Sequence, residues 1–204
     1  MKVILIPCSG QKIGGGTTDY KRPRLWEILE DSQFFRLLAA RAELGKLRGL
    51  GPGPDLGAPD DRGAVEFRPA FERYDGIMCR RAKFRRLFSN FQGRVLIISA
   101  LYGLLDAGDH IRSYDITMDD RLPSGEKVWR WWMKRGLPEL MAISLDNLRA
   151  TEVHDLLIGS YRKAVGSMAI ANRFHFKTYN YPGLGFGALY RRGDDLRGLL
   201  SRDE

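Results

Sequence analysis

The stretch "RVLIISALYGLLDAGDHIRSYD", residues 94–115, decides the fold. Its first part, "RVLIISA", is a short continuous run of apolar, mostly β-branched residues, which predicts a central strand covered on both faces. The rest, "SALYGLLDAGDHIRSYD" (99–115), reads as a loop. A loop that only reversed the chain would more cheaply use Asn, Gly or Pro. This one sets down small, aromatic and acidic residues, so it is expected to present side chains.

Working outward, "KVILI" (2–6) repeats the buried-strand pattern near the start of the chain. Between the two runs, "PRLWEILEDSQFFRLLAARAELGKL" spaces Leu25, Trp26, Leu29, Phe34, Leu37, Leu38 and Leu44 in a helical rhythm, broken near Asp31 and Ser32. Residues 49–63, "GLGPGPDLGAPDDRG", hold too many Gly and Pro for a regular element and are expected to form an exposed loop. "DGIMCRRAKFRRLFSNF" predicts one helix with an apolar face of Ile77, Phe84, Leu87 and Phe88, surrounded by Arg80, Arg81, Lys83, Arg85 and Arg86. "GEKVWRWWMKRGLPELM" predicts another, with Trp129 and Trp132 on one face and Trp131 off it. "TEVHDLLI" reads as a strand running into "GSYRKAV", and "MAIANRFHFKTYN" as a later strand. Strands alternating with helices point to an α/β fold, a mixed, partly parallel sheet flanked by helices in a single domain over residues 1–204.

Composition narrows the function class. The chain is 44% hydrophobic and 28% charged, as a folded protein is rather than a disordered one. Lys and Arg outnumber Asp and Glu by 33 to 25, a net charge of +8 that favours polyanionic partners. Cys8 and Cys79 are too few for a disulfide scaffold or a zinc cage, and no apolar run reaches membrane-span length. These features predict a cytoplasmic location, no membrane partner and no metal or other cofactor.

In open α/β sheets ligands gather beyond the carboxyl ends of strands. Three loops fit that placement: "PCSGQK", "SALYGLLDAGDHIRSYD" and "GSYRK". In the first, Ser9, Lys12 and the amides around Gly10 and Gly14–Gly16 could hold a phosphate, though the order is not that of a Walker A loop. The second offers Tyr102, Asp109, His110, Tyr114 and Asp115, aromatics able to stack on a base and carboxylates able to orient a hydroxyl or move a proton. His154 and His175 have no metal-ligand spacing and read as core or surface histidines. The run of five bases between Arg80 and Arg86, with no acid among them, is suited to a phosphate backbone.

These residues together resemble the YaaA peroxide-stress protein family, with a weaker likeness to small domains carrying a Cys-Ser-x-x-Lys loop. The likeness runs through "PCSGQK" at Pro7, Ser9 and Lys12, then "PAFERYDGIM" at Ala70, Arg73, Tyr74 and Gly76. It resumes at "SALYGLLDAGDHIRSYDITM" and ends at "VHDLLIGSY". The resemblance implies a compact α/β fold with a basic cleft, DNA binding, and a role in limiting oxidative damage when peroxide and free iron meet. By matching position it implies a cleft lined by Ser9, Lys12, Arg73, Tyr74, Tyr102, Asp109 and Tyr114. This chain departs from the family in the short Gly/Pro-rich segment before "PAFERY", where the family carries helix-hairpin-helix-like structure. The expectation is a nucleic-acid-binding protein, with DNA as the partner and a nucleotide or base as a further ligand. Lys12 and Arg73 would neutralise phosphate, with Arg80, Arg81, Lys83 and Arg85 alongside, and Tyr74, Tyr102 and Tyr114 would stack or hydrogen-bond. The alternative is an enzyme acting on a nucleoside, nucleotide or base by glycosidic-bond cleavage or transfer, with Asp109 as acid or base and Ser9 or Lys12 as nucleophile or anion clamp.

Overall fold

The computed structural model describes residues 1–60, 63–166 and 174–201. Strand β1 (Lys2–Pro7) lies at the centre of a five-stranded sheet. Its Val3, Ile4, Leu5 and Ile6 are at most 1% exposed, so both faces are covered, as a continuous apolar run requires. The connection to the next sheet strand carries several helices. A short 3-10 turn (Arg24–Glu27) precedes α1 (Asp31–Leu47), and the expected break falls between them. The break is built by a capping box, in which the Glu30 amide donates to Gln33 Oε1 at 3.1 Å. Helix α1 buries Phe34, Leu37 and Leu44.

The 49–63 segment is not simply an exposed loop. Pro54–Leu56 form a 3-10 turn that buries Asp55 and Leu56. Asp55 is drawn inward because Arg112 meets it there, Nη2 at 2.5 Å from Oδ1 and Nε at 2.8 Å from Oδ2. Strand β2 (Arg68–Pro69) then leads into the one-turn helix α2 (Ala70–Arg73). The single helix expected over the five bases is two pieces, α3 (Ile77–Arg81) and α4 (Phe84–Leu87), separated at Lys83, whose φ is +53°. An unbroken helix would carry Lys83 and Arg86 onto the face of buried Cys79, at i+4 and i+7. Breaking there leaves both cations exposed and turns Phe84 into the core.

Strand β3 (Arg94–Ser99) pairs parallel to β1, Ile4 opposite Val95 and Pro7 opposite Ile98. The residues after β3 do not form the expected loop. They turn at once into β4 (Gly103–Asp106), antiparallel to β3, and then β5 (His110–Ile111), which pairs with β2. Ser99 makes the tight turn, its Oγ accepting the Tyr102 amide at 3.0 Å. Gly103 completes it at φ +68°, where a Cβ would lie 2.7 Å from the Trp132 ring. The tryptophan helix is likewise two pieces, α5 (Val128–Lys134) and α6 (Leu137–Asn147), divided at Gly136. Trp131 and Trp132 are both buried, and it is Trp129 that stays half-exposed. The buried pair meets edge to face at 5.0 Å, and Trp132 Nε1 donates to Ala100 O at 2.8 Å.

Strand β6 (Glu152–Asp155) lies parallel to β1 on its other side, and β7 (Phe176–Thr178) lies parallel to β6. "GSYRK" is not a loop but the opening of helix α7 (Gly159–Ala164). The expected strand over 168–180 is realised in β7, and its residues 168–173 lie outside the described residues. Helix α8 (Gly187–Leu200) packs its Gly193 against Arg81 of α3. The sheet order β4-β3-β1-β6-β7 makes this a mixed, mostly parallel α/β fold. The chain leaving β1 goes on to β3 on one side and the chain leaving β6 goes on to β7 on the other, so a crevice opens at the carboxyl ends of β1 and β6.

Candidate functional site

The loop after β1 fills that crevice. The Cys8 amide donates to Ile98 O at 2.8 Å, and the chain then runs beside residues 73–76: Ile13 N to Arg73 O at 2.9 Å, Asp75 N to Gln11 O at 3.0 Å. Two loops distant in sequence are thereby zipped together. Gly76 is needed at the seam, since a Cβ there would sit 2.2 Å from Ser9 Oγ. The Lys12 ammonium is carried over two rings, 4.0 Å from the centre of Tyr114 and 6.0 Å from that of Tyr74. Beneath it the Tyr114 hydroxyl is hydrogen-bonded to those of Tyr74 (2.8 Å) and Ser99 (2.9 Å). Burial lowers the Lys12 pKa, opposed by Cys8 and Asp115 and reinforced by Arg73. Burial raises both tyrosine pKa values, so their hydroxyls stay protonated and act as neutral donors.

Beside this cluster, beyond the ends of β1 and β6, is a cavity of about 400 Å³. Its walls include Cys8, Ser9 and Gln11 from the loop, Met78 from α3, Tyr161 from α7 and Phe186 at the start of α8. Cys8 Sγ and the Tyr161 hydroxyl are 3.4 Å apart. A second, shallower hollow of about 210 Å³ adjoins it through Cys79, which lines both. Around this hollow stand Arg80, Lys83, Arg85 and Arg86, with Tyr74 at the back and Asp75 as its acid. Arg80 reaches Asp75 at 3.5 Å and donates to Gln11 Oε1 at 3.0 Å, and Arg85 donates to Glu72 O at 3.1 Å. Among the described residues Lys83 and Arg86 meet no carboxylate within ion-pair distance. Arg81 points elsewhere, into an ion pair with Asp194 at 2.6 Å.

Three residues expected at the cleft do other work. Arg73 is 1% exposed and spends its guanidinium on the carbonyls of Ile13, Gly15, Glu66 and Ile111, so it clamps loops instead of facing a ligand. Tyr102 is fully buried, its hydroxyl donating to Asp55 Oδ2 at 2.6 Å and accepting the Arg112 amide at 3.1 Å. Asp109 lies away from Lys12, toward the amino ends of β1 and β3, because β4 runs back from Ser99 to Leu96 before the chain reaches it. Its two oxygens accept the amides of Leu25 (3.1 Å) and Asp106 (3.0 Å). Burial, with Asp106 adding to it, raises its pKa to about 7.

The model of the family described as peroxide stress protein YaaA matches residues 54–198, well over half of the chain. The chain belongs to the YaaA peroxide stress family. A search of curated proteins finds no match. The YaaA match covers Tyr74, the Arg80–Arg86 ridge, Tyr114, Tyr161 and Phe186, while the Ser9–Lys12 loop lies before its start. In this YaaA member that loop is nonetheless held against the matched region by the backbone hydrogen bonds of Gln11 and Ile13 to residues 73–75. Among the described residues no group of three His, Cys, Asp or Glu could hold a metal, and no helix is long and apolar enough to cross a membrane. His154 is a buried packing histidine, its Nδ1 3.0 Å from the Tyr179 hydroxyl.

Sequence reasoning did not single out Ser99, Tyr161 or Phe186. Ser99 acts through turn geometry, and Tyr161 sat within a nominated loop, so position there was the available signal. Phe186 carries no such signal in "PGLGFGALY".

Proposed function

We propose that this YaaA-family protein binds nucleic acid, DNA by the family's character, with the phosphate backbone lying along the Arg80–Lys83–Arg85–Arg86 hollow and Lys12 supplying a further cation at the strand ends. The observation that carries the reading is the gathering of four cations around one hollow that opens beside the crevice of the sheet. Each cation placed on a phosphate releases counterions and adds sequence-independent affinity. The backbone break at Lys83 supports it too, since that break keeps Lys83 and Arg86 exposed.

A second reading, an enzyme acting on a nucleoside, nucleotide or base, has one observation in its favour. Lys12 is an amine whose proton is held less tightly than usual because burial strips water from the ammonium. Asp109 does not join it, so in this reading Lys12 and Ser9 carry the chemistry.

Anisotropy titrations of labelled duplex and single-stranded DNA over a salt series test the first reading. Binding that weakens linearly in log salt is expected; a dissociation constant weaker than about 10⁻⁴ M at low salt overturns it. The second reading requires turnover that Lys12→Met abolishes with binding largely kept.

A further inference from the structure

We propose that the cavity beyond β1 and β6 takes a single unstacked nucleobase, and that Phe186 is the ring that stacks on it. The inference rests on the nucleic-acid reading and assigns a ligand class to the cavity next to the phosphate hollow. The volume, about 400 Å³, falls in the range of small-molecule sites. Its walls are apolar on several sides, with Ile77 and Met78 from one helix and Ile158 and Leu189 from two other segments. A few polar groups, Ser9 and Gln11 among them, stand at the loop edge. That mixture suits a flat heterocycle with hydrogen-bonding edges.

Phe186 is the second observation. It lines the cavity yet is 71% exposed, the most exposed large hydrophobic side chain among the described residues, and Leu184 and Tyr190 close by are 52% and 51% exposed. Exposed apolar surface clustered in the segment that borders a cavity points to a partner. Among the described residues no ring stacks on Phe186, so one face is left for a partner.

The occupant follows from the neighbouring charge. Cys79 is a shared wall between the cavity and the cationic hollow, and Gln11, a cavity residue, accepts a hydrogen bond from Arg80, a hollow residue. A strand whose phosphates lie on Lys83, Arg85 and Arg86 therefore runs beside the cavity, with Cys79 and the Gln11–Arg80 pair between the two. A base turned out of the strand enters it. A purely apolar ligand would leave the four cations without a role, and a free phosphate would leave the cavity empty.

The test uses a single-stranded oligonucleotide carrying one 2-aminopurine between two abasic positions, so that no flanking base stacks on it and its fluorescence is quenched only by a protein ring, together with a plain fluorescein-labelled strand read by anisotropy. Wild type quenches the 2-aminopurine on binding. Phe186→Ala, at a side chain too exposed to hold the fold together, loses the quenching and at least about five-fold in single-strand affinity, with the salt slope unchanged. Ile158→Trp, which fills the cavity, does the same. If Phe186→Ala binds and quenches as wild type does, the cavity proposal is overturned and nucleic-acid binding stands. If no strand binds but 2-aminopurine ribonucleoside monophosphate is quenched in a Phe186-dependent way, the base site stands with a free nucleotide as its ligand and the strand-binding reading falls. No quenching of either probe overturns the base site.

Discussion

The Lys12 ammonium stands 4.0 Å from the centre of the Tyr114 ring, whose hydroxyl is hydrogen-bonded to those of Tyr74 and Ser99. The ring face attracts the cation, an interaction worth about 2 kcal/mol where water is excluded. Burial works in the opposite sense by stripping water from the charge. The position is therefore one where a charged amine is held by a ring face and by the Gly10 carbonyl, at 3.4 Å, with no carboxylate among the described residues within ion-pair distance.

That balance makes binding sensitive to pH. Phosphate affinity needs protonated Lys12, and its pKa is lowered, so oligonucleotide affinity should decline as pH rises toward a value below the ordinary lysine range. Lys12→Met should remove that decline and reduce the slope of log affinity against log salt by about 0.7–0.9. Lys12→Arg should restore the slope without the pH dependence. Anisotropy titrations across about pH 7–10 read both quantities, and a Lys12→Met protein with the wild-type pH profile contradicts the assignment.

The Asp55–Arg112 pair holds the Gly/Pro-rich segment to the body of the molecule. Both side chains are buried, and Tyr102 shares the same carboxylate oxygen. Removing one partner strands the other charge, so Asp55→Asn or Arg112→Met should each cost about 3–5 kcal/mol. Asp55→Leu combined with Arg112→Met should cost less than either alone. Urea denaturation should show lowered midpoints with unchanged m-values, and a near-neutral Asp55→Asn would mean the segment is not anchored there.

This pair also shows where the sequence stops being legible. Strands β1 and β3 could be read because four consecutive apolar residues suffice to mark a strand buried on both faces. The meeting of Lys12 with Tyr114 could be read because loops at strand ends meet, whereas Tyr74 entered through the family resemblance and lies in none of those loops. Asp55 and Arg112, by contrast, are 57 residues apart, and no local pattern distinguishes an acid held in the core from one on a loop surface. Asp109 was misplaced for the same reason, and β4 was missed because its turn uses Ser99 and a left-handed Gly103 in place of a familiar hairpin dipeptide. The break at Lys83 had no Gly or Pro to announce it. Only burial of Cys79 and Phe84 on different faces requires it.

Asp109 should make the fold less stable as pH rises. Its folded pKa is raised to about 7 by burial and by Asp106. In the unfolded chain it titrates near the ordinary ~3.9. Between these values the native state keeps a proton that the unfolded state has lost, so its contribution is full below about pH 4 and declines as pH rises through about 7. The slope is at most about 1.4 kcal/mol per pH unit. Asp109→Asn removes this slope but turns one amide-accepting oxygen into a donor, costing about 1–3 kcal/mol at low pH. The variant should therefore be weaker than wild type near pH 4 and close the gap toward pH 7, as followed by urea midpoints. A gap that widens with pH would show that the carboxylate is the stabilising form.

A binding ridge and bulk positive charge make different demands on neighbouring cations. Lys83, Arg85 and Arg86 share the hollow, whereas Arg81, one residue from Arg80 in sequence, is committed to Asp194. If the net charge of +8 alone drew nucleic acid in, removing any one of these cations would have similar effects. If the hollow holds phosphates, Lys83→Ala, Arg85→Ala and Arg86→Ala should each lower the salt slope by about 0.7–0.9 and weaken DNA alike across sequences, and Arg81→Ala should leave both unchanged. Lys83 already sits at φ +53°, so Lys83→Ala keeps the wild-type backbone strain, and Lys83→Gly is the companion variant that removes the charge and relieves that strain. Equal slopes for Arg81→Ala and Arg86→Ala would place the nucleic acid elsewhere on the molecule.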